Sequence, residues 1–357
     1  MSSKKEIVFV VNPISGTQNK KAILELIGTL LDKEQFTYQI ATTNYSGHAA
    51  EIAKEAARLG KDIVVAIGGD GTVNEVARSL VHTDTALGII PCGSGNGLAR
   101  HLGISIDPKD AIDILNQQKT KDIDYGKING MPFFCTCGVG FDALVSHKFA
   151  EAGKRGLMTY LEKTLTEWIK YKPATYDIII EDDNKTIQHK ALLIACANAA
   201  QYGNNAYIAP QASISDGYMD VTIMEPFTVF DAPQIAIQMF AKNLDKNSHI
   251  KTLRCKKLTI RRQEAGVVHF DGDPIMTGKD VSVEIIESGL KAIINKNATY
   301  KQHNSLIQSF SEYFNDLHNN LHGNLLSRSK RALVINRSLL RKLTGNASTV
   351  KNQDRNL

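Results

Sequence analysis

The amino-acid sequence predicts an α/β domain with a parallel sheet, followed by a β-rich domain built as an antiparallel sandwich. Over residues 1–125, short apolar runs alternate with segments whose apolar residues recur at helical spacing. Over residues 126–296, the segments are shorter, β-rich and separated by turns, and several alternate with a period of two. We therefore predict a domain boundary near residue 125 and a ligand cleft between the two domains.

The first domain is predicted from a regular strand–helix order. Its strands are EIVFVVNP (6–13), FTYQIATT (36–43), KDIVVAIGG (61–69) and ALGIIPCGS (86–94), and its helices are KKAILELIGTLL (20–31), GHAAEIAKEAARLG (47–60) and TVNEVARSLVH (72–82). Continuously apolar strands are typical of a parallel sheet that helices cover on both faces. Ligands bind at the carboxyl ends of the strands in such sheets.

The second domain is predicted from six short strands. They are TYDIIIED (175–182), KALLIACANA (190–199), YMDVTIME (218–225), KKLTIRR (256–262), GVVHFDGDP (266–274) and VSVEIIES (281–288). Two helical stretches, 156–171 and 233–244, interrupt them. Residues 297–357 form a third region, with one apolar helical face over 304–321 and a basic amphipathic segment after it. We expect a helix packed partly on the first domain and a basic tail; a membrane-surface helix and contacts in a homodimer are the alternatives.

Composition limits the class of protein. The chain has 357 residues, 43% of them apolar and 22% charged, which is typical of a globular protein of about two domains. A net charge of +5 is too small to indicate a nucleic-acid partner and is compatible with an anionic nucleotide or an acidic membrane. Five cysteines without a CxxC pair, no signal peptide and no bilayer-length apolar run predict a cytoplasmic protein, with peripheral membrane contact left open.

Three glycine-containing loops follow predicted strands. Loop 1 is NPISG (12–16), loop 2 is GGDGTVNE (68–75) and loop 3 is PCGSGNGLAR (91–100). Glycine lets backbone N–H groups approach a ligand, and the start of the next helix favours an anion. Loop 1 alone is better explained as a simple turn, but three such loops at one edge of a parallel sheet indicate a phosphate site. In loop 2, Asp70 is suited to bind Mg²⁺ or accept a proton, and Thr72 to bond a phosphate oxygen.

Two better-known nucleotide signatures are absent from the sequence. It contains no GxxxxGK[ST], and the glycines of loop 2 do not have the GxGxxG spacing. A nucleotide is therefore expected to be held by backbone N–H groups and hydroxyls rather than by a P-loop lysine. Lys20, Lys21 and Arg100 come shortly after loops 1 and 3, but a solvated position explains such surface cations better than a phosphate partner.

Together, NPISG, GGDGTVNEV and IPCGSGNGLAR resemble the catalytic domain of the diacylglycerol kinase, sphingosine kinase and ceramide kinase family, and in particular its soluble bacterial lipid kinases. RGLMTYL, APQASISDGYMDV and HFDGDP continue the resemblance in the expected order, as far as residue 296. The resemblance implies an NAD kinase/phosphofructokinase-like first domain and an ATP- and Mg²⁺-dependent kinase. Its implied acceptor is the hydroxyl of a membrane lipid: diacylglycerol, a sphingoid base or a related lipid.

The resemblance also implies which residues bind ATP. They are Asn12, Pro13, Ser15, Gly16, Thr43, Gly68, Gly69, Asp70, Gly71, Thr72, Asn74, Gly93, Ser94 and Asn96. In the family a late DGE turn supplies the general base, whereas this chain reads DGD, so Asp271 is kept and Asp273 replaces the glutamate. Since the related sphingosine kinases use the GGDG aspartate as the base, Asp70, Asp271 and Asp273 all stay catalytic candidates.

A metal site is implied in the second domain. Bacterial members of the family carry a structural Mg²⁺ at a DGY turn, which corresponds here to Asp216. The carbonyls of Ser213 and Tyr218 are its expected partners, and one carboxylate with carbonyls and waters suits a hard cation.

Two rival functions share parts of this pattern. NAD kinases and phosphofructokinases also use a GGDG loop, so a kinase for a soluble metabolite is one alternative. A nucleotide-binding module without turnover is the other. Loop 3 and the SDGYMD turn favour the lipid kinase over the first alternative.

Overall fold

The structure is a computed structural model that describes residues 4–16, 18–152, 171–228 and 230–295. The predicted helix at 156–171, except for its last residue, and the predicted region at 297–357 lie outside the described residues. No helix among the described residues is long and apolar enough to cross a bilayer. All five cysteines are free and buried.

The first 116 residues follow the predicted strand–helix order. The elements are β1 (Lys5–Val11), α1 (Lys20–Leu30), β2 (Phe36–Thr42), α2 (His48–Arg58), β3 (Ile63–Gly68), α3 (Asp70–Leu80), β4 (Ala86–Pro91), α4 (Gly97–His101) and α5 (Pro108–Asn116). The strands lie in the order β2-β1-β3-β4 and pair in parallel. Every residue of β3 and β4 is buried, as their continuous apolar sequences predict. The α/β prediction is confirmed.

The remainder of the chain is mostly strand. The elements are β5 (Thr120–Ile128), β6 (Met131–Phe133), β7 (Thr136–Gly140), α6 (Phe141–Ala152), β8 (Ala174–Ile180), β9 (Lys185–Ala191), β10 (Leu193–Ala197), β11 (Met219–Met224), α7 (Ala232–Phe240), β12 (Ile250–Cys255), β13 (Lys257–Arg261), β14 (Gly266–Phe270), β15 (Asp273–Thr277) and β16 (Asp280–Ile293). Six strands form an antiparallel sheet in the order β12-β11-β10-β7-β14-β15. The predicted antiparallel sandwich is therefore confirmed.

The second layer of the sandwich continues the parallel sheet of the first domain. Beyond β4 the ten-stranded sheet runs through β16, β13, β8 and β9, with β5 and β6 also paired to it. Among the described residues, those up to Pro226 and those from Ala241 onward belong to one compact unit, and those of Phe227–Phe240, which includes α7, belong to another. The predicted boundary at residue 125 thus falls inside β5, and the three predicted domain ranges stay predictions.

The predicted strand at 190–199 is wrong in one respect, because the chain changes sheets within it. β9 ends at Ala191 in the ten-stranded sheet, and β10 begins at Leu193 in the six-stranded sheet. A continuous apolar run does not reveal such a crossing, since both strands are buried at this point. Val139, Ile194, Leu258 and Val283 fill the space between the two sheets and are all fully buried.

Candidate active site

Loops 1, 2 and 3 meet at the carboxyl ends of β1, β3 and β4. The side-chain amide of Asn12 donates to the hydroxyl of Thr72 at 3.0 Å, which joins loop 1 to loop 2. Loops 2 and 3 touch through glycines, since a Cβ on Gly93 would lie 2.9 Å from the Cα of Gly69. Adjacent parallel strands end at the same sheet edge, so this convergence follows from the strand order. The predicted cluster of three loops is confirmed.

Loop 1 is a tight turn closed by its own side chains. Asn12 accepts from the N–H of Ile14 at 3.2 Å, and the hydroxyl of Ser15 donates to the carbonyl of Asn12 at 3.1 Å. Pro13 is exposed at the tip. Lys20 donates to the carbonyl of Ser15 at 2.6 Å, which holds its ammonium group beside the loop. Loop 1 thus offers both a constrained backbone and a nearby positive charge to an anion.

Gly16 is required where loop 1 meets loop 3. Its φ is +66°, and a Cβ there would lie 1.8 Å from the carbonyl oxygen of Cys92. We expect Gly16→Ala to lower the free energy of unfolding by about 1–3 kcal/mol through overpacking and backbone strain, and to weaken ATP binding. Thermal unfolding and nucleotide titration measure both effects. Gly278→Ala is the matched control, since a Cβ there would meet no atom within 4 Å; equal effects of both changes would contradict the packing argument.

Loop 2 is packed tightly at one end and open at the other. A Cβ on Gly68 would lie 2.5 Å from the hydroxyl oxygen of Thr72, whereas one on Gly71 would meet no atom within 4 Å. The backbone at Gly71 is therefore accessible to a ligand. Asn74 is buried in α3. Thr43 is buried. It lies beside loop 1, because its N–H donates to the carbonyl of Val11 at 2.9 Å.

Glu75 ties loop 2 to the segment that carries Thr43, a role the sequence analysis missed. Its two carboxylate oxygens accept from the N–H groups of Gly47 at 3.0 Å and Ala49 at 3.2 Å. Both amides belong to the start of α2, where N–H groups lack helical partners and favour a negative charge. Glu75 follows Asn74 directly in the quoted loop 2 sequence, so its position was visible but its partners were not.

Asp70 joins loop 2 to loop 3. Its Oδ2 accepts from the N–H of Asn96 at 2.8 Å and its Oδ1 from the N–H of Gly97 at 2.7 Å, at the start of α4. A larger residue would not fit at Gly95, because a Cβ there would lie 2.7 Å from Oδ2 of Asp70. The carboxylate of Asp70 therefore fixes the arrangement of loops 2 and 3.

Loop 3 is closed by Asn96 and leaves Ser94 exposed. The side chain of Asn96 donates to the carbonyl of Gly93 at 2.7 Å and accepts from its N–H at 3.0 Å. The backbone of Asn96 has φ +51°, in the left-handed region that asparagine tolerates. Both polar ends of the Asn96 side chain thus bond within the loop, so the exposed hydroxyl of Ser94 is better placed to meet a ligand.

Asp271 lies in the two-residue turn between β14 and β15. Asp271 and Gly272 both have positive φ, as a type I′ hairpin requires. The Asp271 carboxylate accepts three backbone N–H groups, from Phe134 at 2.7 Å, Cys135 at 2.7 Å and Thr136 at 3.1 Å. Burial raises its pKa to about 6 even though these hydrogen bonds, and the charge of Arg78, act in the opposite direction.

Asp273 occupies a different environment at the end of the same turn. Its side chain is 56% exposed and pairs with the guanidinium of Arg78 at 3.3 Å. Arg78 lies in α3, the helix that begins at Asp70, and its Cζ is 4.8 Å from the ring centre of Phe270. The hairpin that carries Asp271 and Asp273 is therefore docked on the helix that follows loop 2.

The candidate bases Asp70 and Asp271 lie on either side of Cys135. The N–H of Cys135 bonds to Asp271, and a Cβ on Gly97, a partner of Asp70, would lie 3.3 Å from the Cys135 sulfur. Burial and then the charges of Asp271 and Asp70 raise the pKa of the Cys135 thiol well above its usual range. The structure thus brings loops 2 and 3 and the DGD turn into one site.

Two family models match the chain. The diacylglycerol kinase catalytic domain matches residues 6–128, and the YegS C-terminal NAD kinase beta sandwich-like domain matches residues 135–293. A diacylglycerol kinase of Bacillus subtilis is 29% identical over 75% of this chain and 90% of that protein. A diacylglycerol kinase of Mycobacterium tuberculosis is 32% identical over 63% of this chain and 73% of that protein. The chain belongs to the diacylglycerol kinase family of bacterial lipid kinases.

Two further proteins are similar to this chain. An uncharacterized Synechocystis protein, sll0036, is 32% identical over 67% of this chain, and the match spans 58% of that protein. A crystal structure of a putative diacylglycerol kinase from Bacillus anthracis superposes with a TM-score of 0.70, at 24% identity, over 83% of this chain and 97% of that one. That likeness shows the fold that the lipid kinase family shares.

Asp124 is a buried carboxylate whose structural role the sequence analysis missed. It is 2% exposed, and its carboxylate accepts from the N–H groups of Gly217 and Ser288, each at 2.7 Å. Asn198 donates to the carbonyls of Asp124 and Phe134, at 2.9 and 2.8 Å. Asp124 thus joins the DGY turn to β16, and Asn198 connects it to Phe134, whose N–H bonds the Asp271 carboxylate. The sequence showed only an acidic residue in the predicted domain boundary and gave no indication of its hydrogen-bond partners.

The DGY turn does not fit a bound cation in the arrangement that the structure shows. The carboxylate of Asp216 accepts from the N–H of Tyr218 at 3.2 Å and forms an ion pair with Arg254. A cation bound by Asp216 would have to displace the Arg254 guanidinium from this carboxylate. No group of three or more His, Cys, Asp or Glu suited to a metal occurs among the described residues. The ligand set of Asp216, Ser213 and Tyr218 therefore stays a prediction, and no catalytic step is derived through it.

Proposed function

We propose that this protein transfers the γ-phosphoryl group of MgATP to the hydroxyl group of a lipid, either diacylglycerol, a sphingoid base or a related lipid. The observation that carries the proposal is the position of Asp271, an ionisable carboxylate with a pKa of about 6 beside three phosphate-facing loops. A kinase needs both parts in one cleft, because the acceptor hydroxyl must lose a proton while the phosphoryl group is held in line.

Loops 1, 2 and 3 are proposed to hold the phosphates of ATP. The open backbone at Gly71 and the exposed Ser94 supply donors, and Lys20 and Arg100 supply positive charge beside loops 1 and 3. Mg²⁺ enters with ATP as part of the substrate and neutralises charge on the phosphates. The Thr43 segment, next to loop 1, is proposed to contact the remainder of the nucleotide.

Asp271 is proposed as the general base. As the lipid hydroxyl oxygen forms a bond to the γ-phosphorus, the bond to the β,γ-bridging oxygen breaks, the hydroxyl proton passes to Asp271, and ADP leaves. A base with a pKa near the working pH is well suited to this step. Asp273 is exposed and paired with Arg78, and Asp70 belongs to loop 2, which is proposed to hold the phosphates, so these two are weaker candidates.

The acceptor lipid stays open, but Gly97 restricts the site. A Cβ on Gly97 would lie 3.2 Å from the carbonyl oxygen of Tyr202 and 3.3 Å from the Cys135 sulfur. A larger side chain, such as the aspartate that many diacylglycerol kinases carry there, would require these neighbours to move. Loop 3 is therefore closely packed around glycine at this position.

Labelled-ATP assays test the proposed function. We expect label from γ-labelled ATP in one or more of diacylglycerol, sphingoid base, ceramide and undecaprenol in mixed micelles, and little with Asp271→Asn. NAD belongs in the panel because the second matched model is described as NAD kinase beta sandwich-like. Label in NAD alone would favour the soluble-metabolite kinase. ATP binding without label in any acceptor would favour the module without turnover.

A further inference from the structure

A second carboxylate, Asp142, collects three donors behind the catalytic hairpin. Its Oδ1 accepts from the N–H of Ala143 at 2.8 Å. Its Oδ2 accepts from the hydroxyl of Tyr202 at 3.0 Å and lies 3.0 Å from Nε2 of His269. Asp142 is 7% exposed and His269 is 2% exposed. Hydrogen bonds to a buried carboxylate are among the stronger ones in proteins, so this cluster fixes the relative positions of its members.

The three members come from three separate elements. Asp142 is the second residue of α6, and His269 lies in β14, two residues before Asp271. Tyr202 belongs to a segment that packs on loop 3, where the N–H of Asn204 donates to the carbonyl of Gly95 at 2.9 Å. A Cβ on Gly203, next to Tyr202, would lie 3.0 Å from the Cα of Gly95. The Asp142 carboxylate thus connects loop 3 with the hairpin of the proposed base.

The cluster leaves no space in which its members could shift. A Cβ on Gly138, in β7, would lie 2.9 Å from Oδ2 of Asp142 and 3.2 Å from Nε2 of His269. Since a carboxylate only accepts, Nε2 of His269 carries the proton. Among the described residues, Nδ1 of His269 has no hydrogen-bond partner. The Asp142 contact is therefore the polar anchor of this imidazole within the described part of the chain.

We infer that Asp142 is a positioning residue for phosphoryl transfer, which holds loop 3 and the Asp271 hairpin at a fixed spacing through Tyr202 and His269. The inference rests on the proposed function. None of the three side chains needs to touch the reacting atoms. Displacement of a catalytic group by about 1 Å can cost about 100-fold in rate, so looser spacing lowers kcat while ATP binding by the loops persists.

Kinetics of matched variants test the positioning role. We expect Asp142→Asn to lower kcat about 10- to 100-fold, with the KM for ATP within about threefold of wild type. Tyr202→Phe removes one hydroxyl and is expected to lower kcat by less, about three- to tenfold. The control is Tyr125→Phe, which removes a hydroxyl bonded to Nε2 of His82 at 3.1 Å from a ring that is 1% exposed, and which should keep wild-type kcat.

Conservative rescue separates positioning from mere stability. His269→Gln keeps an amide donor near the position of Nε2 and should retain most of the activity, whereas His269→Leu should behave like Asp142→Asn. Rates are compared per folded protein, below the midpoint of thermal unfolding of each variant. Wild-type kcat in Tyr202→Phe and His269→Leu, with Asp271→Asn inactive, overturns the positioning role alone. A wild-type protein that labels no lipid, or an active Asp271→Asn variant, overturns the proposed reaction and with it this inference.

Discussion

Asp271→Asn should remove nearly all lipid phosphorylation while leaving nucleotide binding intact. Loss of a general base typically lowers kcat by about 10²- to 10⁴-fold, and the amide of asparagine cannot take the hydroxyl proton. Loops 1, 2 and 3 do not contain Asp271, and proton transfer to Asp271 occurs only in the transition state. The dissociation constant for ATP should therefore stay within about threefold of wild type. Single-turnover transfer from labelled ATP and a nucleotide titration measure the two quantities.

The pH dependence of the wild-type enzyme follows from the same group. The pKa of Asp271 is raised to about 6 by burial, and the base works only when ionised. We therefore expect kcat/KM to fall about tenfold per pH unit below pH 6. Folding stability should depend on pH in the opposite direction to activity. A raised carboxyl pKa stabilises the folded state fully at pH values below 3.8, and this contribution is lost as the pH rises through 6. A pH–rate profile without an acidic limb near 6 would contradict the assignment.

Asp273→Asn is the matched control for Asp271→Asn, since both change an aspartate of one turn. The Asp273 side chain is 56% exposed, and exposed ion pairs such as its contact with Arg78 contribute little. We expect kcat within about threefold of wild type. Loss of activity in Asp273→Asn but not in Asp271→Asn would move the base to Asp273.

The sequence predicted the cluster of loops 1, 2 and 3 well, because the determinants of this cluster are local. Apolar strands followed by glycine loops specify β1, β3 and β4 and their shared edge, and loops 1, 2 and 3 need only a few residues each. Sequence could not choose between Asp70, Asp271 and Asp273. The partners that distinguish Asp271 are the N–H groups of residues 134–136, which are distant in the chain.

β16 shows why the continuity of the ten-stranded sheet was missed. The predicted strand VSVEIIES ends at Ser288, just before Gly289. In the structure Ser288 has φ +50°, and the pairing with β5 shifts register between Ile286 and Leu290. The strand then continues to Ile293 and pairs with β4. The local sequence of this bulge therefore resembles a turn. The Asp124 carboxylate that bonds the bulge at Ser288 is far away in the sequence, so it could not be recognised as a partner.

Asp70→Asn should disrupt both nucleotide binding and turnover, unlike Asp271→Asn. Asparagine offers one accepting oxygen where Asp70 offers two, so its NH₂ group would face the N–H of either Asn96 or Gly97. An unsatisfied or opposed buried donor costs about 1–3 kcal/mol, which corresponds to about a 5- to 150-fold loss in ATP affinity if loop 3 must be reordered on binding. We also expect transfer to lipid to fall below detection, as loop 3 loses its place against the γ-phosphate.

Asp32→Asn is the control for Asp70→Asn, and the comparison decides what Asp70 does. Asp32 also accepts two backbone N–H groups, from Glu34 at 2.9 Å and Gln35 at 3.3 Å, but it precedes β2 at the opposite end of the sheet. Its substitution should affect thermal stability alone. If Asp70→Asn bound ATP normally yet transferred nothing, Asp70 would act in the chemical step, through the proton or the magnesium of MgATP. Wild-type turnover from Asp70→Asn would show that loop 2 does not hold the phosphates. Weak binding together with lost turnover would show that Asp70 serves the reaction by joining loops 2 and 3.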